Sequence, residues 1–281
     1  MHVETINFGD ANAGEQLVHS LHNTGFAVLT HHPIPGALLG DIYADWHQFF
    51  SSDEKHQFLY DPDDENSTKE GFHPQHVSET AVGHSAKDIK EFYHLIPDGR
   101  IPPALKEQIL EYRSLAMNLG TMLLDWVQQF TPADISENFT QPLPDVLSSE
   151  MSLLRILHYP PITGGEAPRA ERAAPHEDIN LLTILPVADQ PGLQVKRPGG
   201  EWLDVASVRG SLIINTGDML LEASAGYYPS TTHRVINPQD NSENVSRLSM
   251  PFFLAPRTDF VLSERYTAGR FLEERLRLIT R

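Results

Sequence analysis

Two histidines and an aspartate stand in a pattern suited to holding a metal ion: His176-Glu177-Asp178, then His233 57 residues after the first. In an extended segment residues i and i+2 point to one face, so the His176 imidazole and the Asp178 carboxylate can converge. His233 lies in another strand-like run, 232–236, that can close the triangle. Two imidazoles and one carboxylate on one face of an octahedron leave three positions open, as a non-haem iron(II) oxygenase requires for its cosubstrate and O2. The same donors also suit a zinc hydrolase. With 14 histidines in the chain, the triplet needs a second, independent match.

That match is Arg247-Leu248-Ser249-Met250-Pro251-Phe252-Phe253. The same alternation sets Arg247 and Ser249 on one face and turns Leu248 the other way into packing. A guanidinium fork captures a carboxylate bidentately, and a neighbouring hydroxyl can donate as well. The apolar run that follows implies burial, and a buried guanidinium needs an anion. Ile156-Leu157-His158-Tyr159-Pro160-Pro161 offers the Tyr159 hydroxyl as a further donor, although a strand tyrosine alone is ordinary.

Such residues need a frame that brings distant segments together. From Met151 onward short β-rich runs follow one another at 153–159, 180–186, 193–196, 202–205, 211–215, 232–236 and 248–254. Turn signals such as Pro198-Gly199-Gly200 and Thr216-Gly217-Asp218 separate them, which argues for a sandwich or barrel-like β core. The earlier part mixes a strand at 25–30 with helices at 13–23, from Leu38 through Phe50, and at 103–130. The last of these turns Ile109, Leu115, Leu119, Met122, Leu123 and Trp126 to a core. Residues 61–88 read as a loop, and 263–279 as a closing helix with Tyr266, Phe271, Leu272, Leu276 and Ile279 apolar. No linker divides the chain. We expect one domain over 1–281: a helical and mixed region to 150, a β core over 151–260, and a C-terminal helix over 261–281.

Composition narrows the function classes. Lys and Arg number 21 against 38 Asp and Glu, a formal charge of −17 that repels phosphate backbones and argues against a nucleic-acid partner. The absence of cysteine excludes disulfides, thiolate metal sites and cysteine nucleophiles. With no leader-like start and no apolar run long enough to cross a bilayer, a cytoplasmic protein without membrane contact is expected.

The order of Tyr159-Pro160-Pro161, His176-Glu177-Asp178, Pro191-Gly192-Leu193-Gln194-Val195, Asn215-Thr216-Gly217-Asp218, His233-Arg234-Val235 and Arg247-Leu248-Ser249 resembles the isopenicillin N synthase-like family of iron(II), mostly 2-oxoglutarate-dependent, dioxygenases. Gly25-Phe26, Phe49-Phe50 and Asp88-Ile89-Lys90-Glu91-Phe92-Tyr93 extend a looser likeness through the first part. The resemblance implies a double-stranded β-helix (jelly roll) core, mainly β with α, wrapped by N-terminal helices and a C-terminal helix. It implies Fe(II) held by His176, Asp178 and His233, and 2-oxoglutarate held by Arg247 and Ser249 with help from Tyr159. It further implies O2 and a small-molecule substrate, with the pocket drawn from 61–88, Lys90 to His94, 162–174 and the Phe252 region. The 162–174 stretch and His158 depart from the family pattern and are expected to reshape the pocket mouth.

Other signals carry less. Asp61-Pro62-Asp63-Asp64-Glu65 lacks the glycine and the closing glutamate of a calcium loop. His73, His76 and His84 have no accompanying carboxylate pattern, and Gly164-Gly165 precedes no phosphate-binding lysine. No nucleophile elbow occurs. An oxidase of the same fold that uses no 2-oxoglutarate, and a catalytically silent binding module, stay open. Substrate identity and oligomeric state are not legible.

Overall fold

Alternation along the strands of one large sheet sorts its side chains onto two faces, and that sorting places the site. The structure, a computed structural model, describes residues 2–61, 70–77, 87–96, 98–168, 170–187, 190–206, 208–240 and 243–279. Chain order is β1 (Glu4–Asn7), α1 (Ala13–Thr24), β2 (Phe26–Thr30), α2 (Gly36–Ser51), β3 (Gly71–His73), β4 (Glu91–Leu95) and α3 (Lys106–Phe130). The short α4 (Ala133–Ser136) and α5 (Leu143–Val146) follow, then β5 (Leu153–Tyr159), β6 (Ala173–His176), β7 (Leu182–Pro186), β8 (Leu193–Lys196) and β9 (Trp202–Asp204). The chain ends with β10 (Leu212–Thr216), α6 (Asp218–Ala223), β11 (His233–Val235), β12 (Arg247–Ser249), β13 (Phe252–Leu254) and α7 (Ala268–Ile279).

Nine strands make one sheet in the order β1-β2-β10-β7-β13-β5-β4-β3, with β12 also pairing with β5; β6-β11-β8-β9 make a second sheet of four. The two sheets face each other as a jelly roll. On β5, Leu154 and Ile156 join the outer core while Leu157 and Tyr159 point inward; on β10, Leu212 and Ile214 face out and Ile213 faces in. The outer core stacks these residues on Leu17 and Leu21 of α1, Trp46 and Phe50 of α2, and Leu119 and Leu123 of α3. The inner core is smaller and draws Phe26, Phe92, Val195 and Val235 from both sheets. One inner face is therefore available to polar residues shielded from water by the layer behind them. The first helix, α1, hands over to β2 at Gly25, whose left-handed conformation (φ 71°) closes the helix by donating its N–H to Leu21 O at 2.8 Å.

Strands from before residue 150 take part in the large sheet: β2 pairs with β10 and β4 with β5. The reading of 61–88 as loop misses β3, which pairs with β4, and a 3-10 turn at Gln75–Val77; residues 62–69 and 78–86 of that stretch, including His84, lie outside the described residues. The expected single strand over 248–254 is two strands broken at Met250-Pro251, because proline has no N–H for the ladder. Thr216-Gly217-Asp218 opens α6, since Asp218 stands in that helix's first turn. Met122, expected in the core, is 44% exposed; Leu124 and Val127 occupy the buried face of α3. Leu276 of α7 is also exposed, and the Ile279 side chain lies outside the described residues. No described helix is long and apolar enough to cross a membrane.

Phe252 is fully buried on β13 between β5 and β7. Phe252→Ala should lower the unfolding free energy by about 3–5 kcal/mol in urea titrations, as expected for an aromatic cavity.

Candidate active site

The antiparallel pairing of β6 with β11 places His176 directly opposite His233, with ring centroids 4.3 Å apart. Asp178 follows two residues beyond the end of β6 and is buried. His233 Nε2 lies 3.8 Å from Asp178 Oδ1, and one donor atom from each of the three residues falls within 4.8 Å of the others. The spacing argument succeeds although Asp178 has already left the strand.

The surroundings orient each donor. His176 Nδ1 meets Ala174 O at 2.8 Å and His233 Nδ1 meets Thr231 O at 3.1 Å. A carbonyl only accepts, so these contacts put the proton on Nδ1 and leave Nε2 with its lone pair for a metal. Asp178 Oδ2 accepts from Thr183 Oγ1 at 2.5 Å and from Asn215 Nδ2 at 2.7 Å, while the Asp178 carbonyl accepts from Asp218 N–H at 2.7 Å. The second carboxylate oxygen, Oδ1, is the one turned toward His233. Burial pushes His176 down to about 4, and the neighbouring His233 imidazole adds to the effect, so its ring is neutral and ready to ligate near neutral pH. Burial opposes ionisation of Asp178, but the two imidazoles and the bonds from Thr183 and Asn215 outweigh it and hold the carboxyl below its usual value. A neutral His176 imidazole beside an ionised carboxylate is the protonation state that a divalent cation needs of those two donors.

Arg247 and Ser249 of β12 pair with Tyr159 and Leu157 of β5 and share the inner face. The Arg247 guanidinium carbon sits 5.3 Å from the centroid of the Tyr159 ring. Arg247 is 4% exposed and donates Nε to Gln190 O at 3.3 Å, but its Nη1 has no partner among the described residues. Burial lowers the basicity of Arg247, and it raises the Tyr159 phenol above its ordinary value. An inward-facing guanidinium with a stranded N–H fits an organic carboxylate.

Sequence reasoning missed Thr183, and it named Asn215 and Gly217 only as landmarks of the resemblance, without a role. Thr183 is the one polar residue of β7, and Asn215 ends the apolar run of β10 just before Thr216, which is the signal that marks them. At Gly217 a Cβ would come 2.8 Å from Asp178 O and closer still to Asn180, so only glycine lets α6 start against the loop that carries Asp178. His158 does not shape the pocket mouth. It points to the face opposite Tyr159, stacks on Phe50, and meets Glu91 and Ser246 at 2.8 and 2.6 Å. His73 belongs to a stack with Tyr60 and Phe92, apart from the triad. Segments 61–88 and 162–174 meet at an open cleft of about 630 Å³ lined by Pro74, His76, Lys87, Asp88, Glu166 and Ala170. Asp88 ties that cleft to the metal strand by accepting from Ala174 N–H at 3.0 Å.

A jelly roll that brings two histidines and an aspartate together carries the donor set of the non-haem iron dioxygenases. The family model of the 2OG-Fe(II) oxygenase superfamily matches residues 150–256, and that of the non-haem dioxygenase N-terminal region, described from morphine synthesis, matches residues 4–115. A 2-oxoglutarate-Fe(II) type oxidoreductase of Aspergillus fumigatus is 29% identical over 90% of this chain and 80% of its own length. The crystal structure of a candidate oxygenase from Shewanella oneidensis superimposes with a TM-score of 0.88 at 49% identity, covering 99% of this chain and 98% of that one. A full-length Neurospora crassa protein, solved in complex with alpha-KG, shares the fold with a TM-score of 0.78 at 22% identity over 97% and 95% of the two chains. The chain belongs to the 2-oxoglutarate–Fe(II) oxygenase superfamily. It is an oxidoreductase that uses Fe(II), 2-oxoglutarate and O2.

Removing the hydrogen bond behind the carboxylate should loosen the metal without touching a ligand. Asn215→Ala is expected to weaken Fe(II) binding by about 10–100-fold in anaerobic titrations, with the protein still folded.

Proposed function

We propose that His176, Asp178 and His233 hold Fe(II), and that Arg247, Ser249 and Tyr159 hold the distal carboxylate of 2-oxoglutarate. The enzyme then oxidises a C–H bond of a small metabolite. The observation that carries this reading is the buried Arg247 with an unpartnered Nη1 on the same inner face as the residues that orient the triad. Bound Fe(II) supplies the redox chemistry: 2-oxoglutarate, O2 and the substrate C–H group give succinate, CO2 and the oxidised product.

The chain's own part is placement. Asn215 and Thr183 take one oxygen of Asp178, which leaves the other for the cation. The Ala174 and Thr231 carbonyls fix both ring orientations. Arg247 holds a dicarboxylate at its far end, so that its 2-oxo acid end is presented to the triad. The apolar inner core, with Phe26 edge-on to His233 at 5.5 Å, keeps bulk water off the site and strengthens each of these charge contacts. The cleft between Asp88 and Ala170 supports substrate approach from the side of β6. A formal charge of −17 supports a small metabolite over a nucleic-acid polymer.

Anaerobic titration of the Fe(II) protein with 2-oxoglutarate should develop the visible charge-transfer band of bidentate chelation. His176→Ala should lose both that band and substrate-triggered CO2 release. Arg247→Met should keep the iron but raise the 2-oxoglutarate Kd by about 30-fold or more, the scale for removing one partner of a buried charge pair. A wild-type protein that turns over without producing the band would show that Arg247 serves the substrate's own carboxylate instead.

A further inference from the structure

Arg172, the residue before β6, is 2% exposed and among the largest side chains fully buried in the protein. Its Nη2 donates to Val245 O at 2.7 Å, two residues before Arg247, and its backbone N–H donates to Asn237 Oδ1 at 3.0 Å. Its Nε is buried without a partner, like Arg247 Nη1. Among the described residues no carboxylate lies within ion-pair distance of either guanidinium, although Glu171 beside Arg172 pairs with Arg234 at 3.3 Å. Burial comes first in weakening the basicity of Arg172 and the positive charge of Arg247 second, while Tyr159 opposes them; the bond to Val245 O sets the Arg172 head group at the segment that leads into Arg247, whose guanidinium lies 5.3 Å from the Tyr159 ring. Guanidinium does not escape by losing its proton. Two buried cations that repel each other and lack an acid are costly as they stand.

We infer that Arg172 is the second cation of the co-substrate pocket, and that the Arg172–Arg247 pair awaits the distal carboxylate of 2-oxoglutarate, so that Arg172 sets co-substrate affinity and the preference for a dicarboxylate. This rests on the co-substrate role proposed for Arg247. Arg172 is a positioning residue. It reaches the segment leading into β12 at Val245 O and acts by adding positive charge there, while Arg247 and Ser249 lie on the inner face itself. A purely structural role for Arg172 would make the opposite prediction for the empty protein, since loss of the Val245 bond would destabilise it with or without ligand.

The test compares wild type, Arg172→Met and Arg172→Lys, each loaded anaerobically with Fe(II) and titrated with 2-oxoglutarate and with pyruvate, a 2-oxo acid without the distal carboxylate. Arg172→Met should raise the 2-oxoglutarate Kd by about tenfold or more, the scale for a buried charge partner, and leave that for pyruvate unchanged. Arg172→Lys, which keeps the charge, should recover most of the affinity. Thermal unfolding adds a separate readout: Arg172→Met without ligand should melt no lower than wild type, and should gain less from 2-oxoglutarate. Should Arg172→Met not fold, Arg172→Gln against Arg172→Lys makes the same comparison. An unchanged 2-oxoglutarate Kd in Arg172→Met, or equal weakening toward both acids, overturns the inference and leaves the Arg247 assignment standing. Absence of a chelation band in wild type overturns the Arg247 assignment instead.

Discussion

The site depends on one strand pairing. β6 and β11 are separated by more than fifty residues, and their antiparallel register sets His176 against His233. A slip of one residue would turn one imidazole to the other face. The register is irregular between His233 and Val235, where Val235 pairs with Ala173, so the bulge lies beside the histidine pair. Bulges re-aim side chains, and this one falls directly beside the paired rings. β8 flanks β11 on its other side, pairing Val195 with His233 and fixing the strand from both edges.

Behind that pairing, the large sheet works as a two-sided wall. Its outer face is apolar and carries the helices. Its inner face holds Thr183, Asn215, Tyr159, Arg247 and Ser249, alternating along their strands with outer-face residues such as Leu182, Ile214 and Leu248. Polar groups are tolerated there because they are satisfied by one another or reserved for ligands. Asp178 shows the first case, with a hydrogen bond from each of two strands. Arg247 matches the second: it keeps a buried guanidinium N–H without a partner among the described residues, as the proposed carboxylate site requires.

The polar network on the outer face has a different purpose. Lys55 meets Glu91 at 2.9 Å, Glu91 meets His158, and His158 meets Ser246. The chain of contacts runs from α2's end across β4 and β5 to the residue before β12, and it pins the two strands that carry Tyr159 and Arg247. Burial opposes ionisation of Glu91, but His158 and Lys55 overcome it and hold the carboxyl below its usual value.

What the sequence settled by itself is the set of candidate donors. Residue type and spacing named three metal donors and an arginine–serine pair, because period-two alternation is a local property that needs no fold to be read. The β texture after Met151 and the helices at Ala13–Thr24, Gly36–Ser51 and Lys106–Phe130 were legible for the same reason: their apolar periodicity is strong and continuous. Tertiary structure decided what depends on pairing across distance. β1 and β3 are too short to announce themselves and exist because β2 and β4 offer them a ladder. Thr183 and Asn215 look like interruptions in apolar strands until Asp178 is placed between them. Arg172 shows most plainly where sequence reading stops: in the chain it is one polar residue in a loop, and only packing reveals a buried guanidinium bonded to the segment before β12.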